Sequence, residues 1–253
     1  MIKEILIKDP ITYEGQPDGG RTPMIDPYDG CQLCCPYCFQ QNDINWNKNI
    51  YVNINIAELL NERLENWSKN ETIYLGSKCD PYMELEKKYG LTKKCLSVLN
   101  ELKIDTMITT KSDNDLIFRD FDIIKNYQAQ MTILMGITNI NQIGKRSQNK
   151  NIINANKLFN EGANVWVFIT PILPYIMDVE EIISALNPNI PIYLDKLRVE
   201  NNIQINNIME YIKRSYPKYT QKYNEIINGN NDEYFNEIKK QYINNERIKI
   251  LFI

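Results

Sequence analysis

"DGCQLCCPYCFQQ" spans residues 29–41 and places Cys31, Cys34, Cys35 and Cys38 within a stretch of eight residues. The chain has six cysteines in all and no histidine. Zinc is usually held by two separated ligand pairs, and no second pair exists here, because Cys79 and Cys95 stand alone. A four-thiolate zinc site would put adjacent Cys34 and Cys35 on one tetrahedron, an awkward arrangement. An iron–sulfur cluster suits the loop better. Cys31, Cys35 and Cys38 read C-x3-C-x2-C and offer three thiolates, where such clusters usually take four. Three ligands leave one iron open to a small molecule. If Cys34 supplied a fourth, the result would be a plain electron carrier, which belongs with a small ferredoxin-like fold.

The chain is much longer than that. Its 253 residues, 43% hydrophobic and 24% charged, have the composition of a soluble globular protein with a sizeable core. We read 1–253 as a single domain, its core at about 22–200, followed by C-terminal helices and a last strand over 201–253. Net charge is −3, from 29 basic and 32 acidic residues, which weighs against a dedicated nucleic-acid binder. The longest apolar stretch, "VWVFITPIL" at 165–173, is far below the roughly 20 residues a spanning helix needs, so no membrane role is expected. The N-terminus lacks an apolar h-region with a cleavage site. The expected location is the cytoplasm, where a tight cysteine cluster reads as metal binding or catalysis.

After the cysteine loop, helical and strand patterns alternate. Residues 9–30, rich in Pro, Gly and Asp, read as an irregular lead-in. Asn55 is placed to cap a helix running to about Ser68, with Ile56, Leu59, Leu60, Leu64 and Trp67 on one face. Strands are expected at 72–77, 105–112, 130–138, 164–174 and 190–197. Helices are expected around Cys95 to Leu102 and at 115–126, 151–162 and 178–186. Residues 201–244 read as helical, and "RIKILFI" as a last strand. This β-α alternation implies a parallel sheet with right-handed crossovers. Polar residues punctuate the C-terminal strand ends, the edge at which α/β proteins build active sites.

The blocks "DPYDGCQLCCPYCFQ", "DPYMELEKKYGLTKKCL", "TTKSDNDLIFRDFDII" and "ITPILP" resemble, in order, the spore photoproduct lyase-like branch of the radical S-adenosylmethionine superfamily. The resemblance runs from about residue 24 to beyond 200. Cys34 departs from it, since that position is usually not a thiol. The fold implied is a partial (β/α)6 TIM-type barrel with an irregular N-terminal lead-in and a C-terminal helical extension.

The resemblance also implies chemistry. Cys31, Cys35 and Cys38 would ligate a 4Fe–4S cluster whose open iron takes the amino and carboxylate groups of S-adenosylmethionine. A flavodoxin or ferredoxin would deliver one electron, and a 5′-deoxyadenosyl radical would take hydrogen from a peptide or small-molecule substrate. The alternatives are a nucleic-acid lesion lyase of the photoproduct lyase type, which the charge balance disfavours, and a non-catalytic iron–sulfur electron carrier. Gly76 and Ser77 match the contact to the cofactor's amino group, and Lys111 and Ser112 the contact to its carboxylate. Thr138 matches a ribose contact, with Gly136 where relatives often carry serine, and Tyr37 packs near the adenine. Cys79 stands two residues after Ser77, so it shares that rim; its weak S–H bond makes it a candidate hydrogen-atom donor and the expected catalytic residue. Asp80, Tyr82, Glu84, Glu86 and Tyr89 are candidates to hold substrate in the loop that follows. Tyr193, Lys196 and Arg198 are candidates for an anionic group. Glu180 and Glu181 read as surface and Cys95 as core.

Overall fold

Short apolar runs separated by amphipathic segments produce the expected alternation. The computed structural model describes residues 1–15, 20–41, 46, 48–68, 71–138, 149–229 and 231–252. Backbone contacts divide the chain into two compact units, Met1–Leu33, Asn45–Met135 and Lys157–Val165 in the first, and Cys34–Ile44, Gly136–Asn156 and Trp166–Ile253 in the second.

The first unit contains β1 (Ile2–Ile5), β2 (Thr12–Gly15), β3 (Arg21–Ile25), β4 (Tyr28–Asp29), β5 (Ile50–Asn53), α1 (Ile56–Leu64) and β6 (Ile73–Leu75). It continues through α2 (Glu86–Tyr89), α3 (Leu91–Glu101), β7 (Thr106–Thr110), α4 (Leu116–Arg119), α5 (Phe121–Lys125) and β8 (Met131–Gly136), whose last residue belongs to the second unit. Strands β3, β6, β7 and β8 pair in parallel, and β2 adds antiparallel to β3. Ile73, Leu75, Ile108, Ile133 and Leu134 are all buried, as parallel strands covered on both faces require. On α3, Leu91, Cys95, Leu96 and Leu99 form the buried face, so Cys95 is a core residue. A separate small sheet runs β1-β5-β4.

Helix α6 (Lys150–Asn160) and strand β9 (Val165–Ile172) each cross from one unit to the other. The second unit then holds α7 (Val179–Ala185), β10 (Ile192–Lys196), α8 (Asn202–Ser215), α9 (Thr220–Asn228), α10 (Glu233–Tyr242) and β11 (Ile248–Ile250). Strands β9, β10 and β11 are parallel. Val167, Ile169, Ile192, Leu194 and Ile248 are buried, and Trp166, Phe168 and Tyr193 alternate with them on the half-buried face. Strands β2 and β11 each end a sheet order, and the described strands form no closed barrel. No helix among the described residues is long and apolar enough to cross a membrane.

Three local expectations differ. The lead-in is not irregular throughout its described part: it contains β2, β3 and β4, and β3 is itself a parallel strand. Its Pro and Asp residues hid the short Thr-Tyr and Met-Ile runs. Residues 16–19, part of the same expectation, lie outside the described residues, as does Ile253 of the last strand. Asn55 does not cap α1. Its side chain pairs with the backbone of Ile7, accepting from the amide at 3.0 Å and donating to the carbonyl at 3.0 Å, so it ties the end of β1 to the helix start. The expected helix at 115–126 is broken at Asp120, whose buried carboxylate receives Arg119 Nε at 2.7 Å and Nη2 at 2.8 Å.

Candidate functional site

Two carboxylates, half-buried Asp26 and buried Asp80, organise the carboxyl ends of β3, β6 and β7. Asp26 follows β3. Its Oδ1 accepts the amides of Lys78 at 2.9 Å and Cys79 at 3.4 Å, and the Cys79 thiol lies 3.7 Å from the same oxygen. Ser77 Oγ lies 3.4 Å from Oδ2 and 2.7 Å from Met24 Sδ, so its single hydrogen serves one of them at a time. Asp26 thus folds the Ser77–Cys79 turn onto the end of the neighbouring strand. Burial pushes its carboxyl up from the usual range, and the amides of Lys78 and Cys79 pull it back.

Asp80 does the same one strand further on. Its two oxygens receive the amides of Tyr82 (2.9 Å), Lys111 (2.6 Å) and Ser112 (3.1 Å) and the hydroxyls of Thr110 (2.9 Å) and Ser112 (2.8 Å). These donors offset part of the burial that raises its pKa. The carboxylate is therefore the hub that joins the loop after β6 to the end of β7. Ser112, itself buried, spends its hydroxyl hydrogen on Asp80 and keeps only acceptor capacity for a ligand.

Gly76 ends β6 at φ +80°, and a Cβ there would meet Pro81 Cδ at 2.5 Å. Only glycine suits that backbone and that proximity. Cys79 is buried, and burial, aided by the negative charge of Asp26, pushes its thiol well above the ordinary range. It is an S–H group at neutral pH.

Glu84, Glu86 and Tyr89, further substrate candidates of this loop, are engaged internally. Glu86 is fully buried and binds Tyr28 Oη at 2.5 Å, Arg119 Nη2 at 2.6 Å and the Thr92 amide at 3.0 Å. Tyr82 is buried. Glu84 pairs with Lys87 at 2.6 Å on the surface, and Tyr89 Oη donates to Glu4 at 2.8 Å. In the second unit, Lys196 pairs with Asp232 at 2.8 Å and Arg198 with Asp195 at 2.7 Å, so neither offers an uncompensated charge.

The cysteine loop runs across the boundary between the units, which falls after Leu33. Cys31 is buried, Cys35 and Cys38 half-buried and Cys34 exposed, with a left-handed backbone (φ +50°) at Cys34. The loop turns back on itself: the Cys38 amide donates to the Cys35 carbonyl at 3.1 Å, and Gln41 Nε2 reaches the same carbonyl at 2.5 Å. Buried Tyr37 donates its hydroxyl to the Thr138 carbonyl, and Thr138 Oγ1 donates to the Pro171 carbonyl at 3.2 Å. Two residues 101 positions apart are thereby brought together in the second unit. Asn151 Nδ2 holds the Gly136 carbonyl at 2.8 Å.

The chain is 29% identical over 264 residues to an uncharacterised protein of Methanocaldococcus jannaschii, covering 96% of this chain and 95% of that protein. An uncharacterised protein of Mycobacterium bovis is 27% identical over 124 residues, 45% of this chain and 36% of that one. No family model matches. Among solved structures, a spore photoproduct lyase variant superposes with a TM-score of 0.60 at 15% identity, covering 86% of this chain. The chain has a spore photoproduct lyase-like fold. It spans 66% of the length of that lyase. A second structure of the lyase, with bound AdoMet and dinucleoside spore photoproduct, matches with the same TM-score at 14% identity.

A lyase-like fold invites a test of the thiols against an iron–sulfur cluster. None of the six cysteines is in a disulfide, and three soft thiolate donors on one short turn suit iron. Among the described residues, no three Cys, Asp or Glu side chains are gathered as a metal site. The donor chemistry fits; the gathering of the donors would come with the metal.

Sequence reasoning missed Asp26 and misread Asp80. Asp26 lies in the quoted "DPYDGC" block, directly after an apolar strand, and that position was the available signal. Asp80 was grouped with substrate candidates, whereas its carboxylate is occupied by this chain's own donors.

Proposed function

We propose that the chain is a radical S-adenosylmethionine enzyme acting on a peptide or small metabolite. The observation that carries this is the C-x3-C-x2-C loop leaving β4 in a chain with a spore photoproduct lyase-like fold. Cys31, Cys35 and Cys38 would hold a 4Fe–4S cluster, with S-adenosylmethionine on its open iron. When bound, that pair supplies a 5′-deoxyadenosyl radical after reduction by a flavodoxin or ferredoxin. The parallel strands act as an open, partial (β/α)6 barrel, and the reducing cytoplasm keeps the thiols available. A net charge of −3 favours these substrates over nucleic acid.

This chain's residues would then bind and orient. Gly76 lets the backbone approach closely, and Ser77 meets the cofactor's amino group. Lys111 meets its carboxylate; Ser112, whose amide and hydroxyl hydrogens both go to Asp80, has no donor left for that carboxylate and holds the strand end that presents Lys111. Tyr37 and Thr138 flank the adenosine. Cys79 would give its hydrogen atom to a substrate carbon radical; the sulfur would become a thiyl, which one electron from the same flavodoxin or ferredoxin, with a proton, returns to the thiol.

The test of the whole reading is anaerobic reconstitution with iron and sulfide, followed by dithionite and S-adenosylmethionine. Methionine and 5′-deoxyadenosine should form. A fully loaded cluster that cleaves no S-adenosylmethionine would sink the proposal and leave an electron carrier.

Two variants separate the roles. Lys111→Ala should weaken S-adenosylmethionine binding by about one to two decades, since a charge-assisted contact contributes roughly 1.5–3 kcal/mol. Its iron content should not change, and unchanged affinity would remove Lys111 from the cofactor site. Cys79→Ala should retain cluster, cofactor and 5′-deoxyadenosine formation while product yield falls and uncoupled turnover rises. Normal product from that variant would leave Cys79 as packing.

A further inference from the structure

The amino ends of β10 and β11 carry a second cavity, built wholly within the second unit. The site described above is instead assembled at carboxyl strand ends. The cavity measures about 800 Å³, and its lining includes Tyr193, Arg247 and Lys249 together with Asn189, Asn245 and Glu246. Its size falls within the range of small-molecule sites.

Arg247 gives the cavity its character. It is half-buried, and its fork is fixed by two backbone carbonyls: Nε donates to Ile190 O at 2.8 Å and Nη2 to Asn187 O at 2.7 Å. Among the described residues no carboxylate pairs with it, and its pKa is lowered by burial alone. A guanidinium held in place, partly desolvated and without a counter-charge is prepared for an oxyanion. Lys249 projects from the strand two residues later, also without a carboxylate partner among the described residues. Glu246 is the acidic group that faces them, and it is exposed.

Tyr193 adds a planar surface. Its ring stacks on Phe168 at 4.6 Å and 7° and on Trp166 at 5.3 Å and 21°, so β9 holds it rigidly. Lys249 Nζ lies 5.6 Å from the Tyr193 centroid, near the outer limit of a cation–π contact. If the ammonium swings toward an anion, it vacates that side of the ring.

We propose that this cavity binds a planar ring carrying a phosphate, with the chemistry of a nucleoside monophosphate. The phosphate lies against Arg247 and Lys249, and the ring takes the place of the Lys249 ammonium beside Tyr193. The site is independent of the radical chemistry proposed above.

The experiment titrates the full chain, without cluster, with guanosine 5′-monophosphate, guanosine and inorganic phosphate by calorimetry. A guanine nucleotide avoids the adenosine contacts of the other site. The monophosphate should bind at least about tenfold more tightly than either part, since both the ring and the charge-assisted contacts contribute. Lys249→Gln, an exposed change that leaves the fold intact, should weaken it about tenfold, and Arg247→Lys by a similar factor through loss of the carbonyl-fixed placement of the charge. Lys111→Ala should leave it unchanged. Absence of monophosphate binding, or binding indifferent to both Lys249→Gln and Arg247→Lys, overturns the proposal. So does guanosine binding as tightly as the nucleotide.

Discussion

Alanine at Cys31, Cys35 or Cys38 is expected to abolish the iron–sulfur cluster of reconstituted protein, whereas alanine at Cys34 is expected to retain it. In the proposed site each of the three thiolates would close a bond to one iron, and a cluster with an open iron would have no ligand to spare. Cys34 is the exposed member of the four and sits where the backbone turns through φ +50°. Iron and sulfide content with the visible absorbance of the cluster measure the outcome. The informative comparison is between neighbours. If Cys34→Ala loses iron and Cys35→Ala keeps it, the ligand set is C-x2-C-x3-C and the site assignment moves with it. Cys95→Ala is the internal control, because Cys95 packs on the buried face of α3.

The second large effect is expected at Asp80. Asp80→Ala removes the acceptor for three amides and two hydroxyls in a buried setting. Unsatisfied buried donors cost about 1–3 kcal/mol each, and some will find water or other acceptors. A loss of about 3–5 kcal/mol, read as a lower urea midpoint, is the expected result. Asp80→Asn keeps the shape and one oxygen. It should hold either the Tyr82 amide with the Thr110 and Ser112 hydroxyls, or the Lys111 and Ser112 amides, and so fall between wild type and alanine. S-adenosylmethionine affinity should drop with it, because Lys111 and Ser112 receive their backbone placement from this carboxylate. An alanine variant within about 0.5 kcal/mol of wild type, the size of an ordinary surface substitution, would remove Asp80 from its place as hub.

How much of this was legible varies by residue. The β-α alternation was, because apolar periodicity is a property of each segment alone. The glycine at 76 was, since a strand ending in Gly-Ser announces a turn. Glu86 was not. In the sequence it is one of several charges in "MELEKKYG", yet it is fully buried because Tyr28 and Arg119, 58 and 33 residues away, supply its partners. Lys196 and Arg198 read as anion binders at a strand end and prove to be paired with Asp232 and Asp195.

The sequence by itself determined a parallel α/β chain with a thiol-rich turn near its start and polar residues at its strand ends. Those features follow from local chemistry: the period of a strand or helix, the turn preference of glycine, the donor character of cysteine. Tertiary structure alone decided that Asp26 clamps a turn 52 residues later and that Asp80 grips a strand end 31 residues on. It also decided that Arg247 stands in a cavity with no carboxylate partner among the described residues. Whether a charged side chain faces water, a ligand or a buried partner depends on which distant segments the sheet brings beside it, and spacing along the chain carries no record of that.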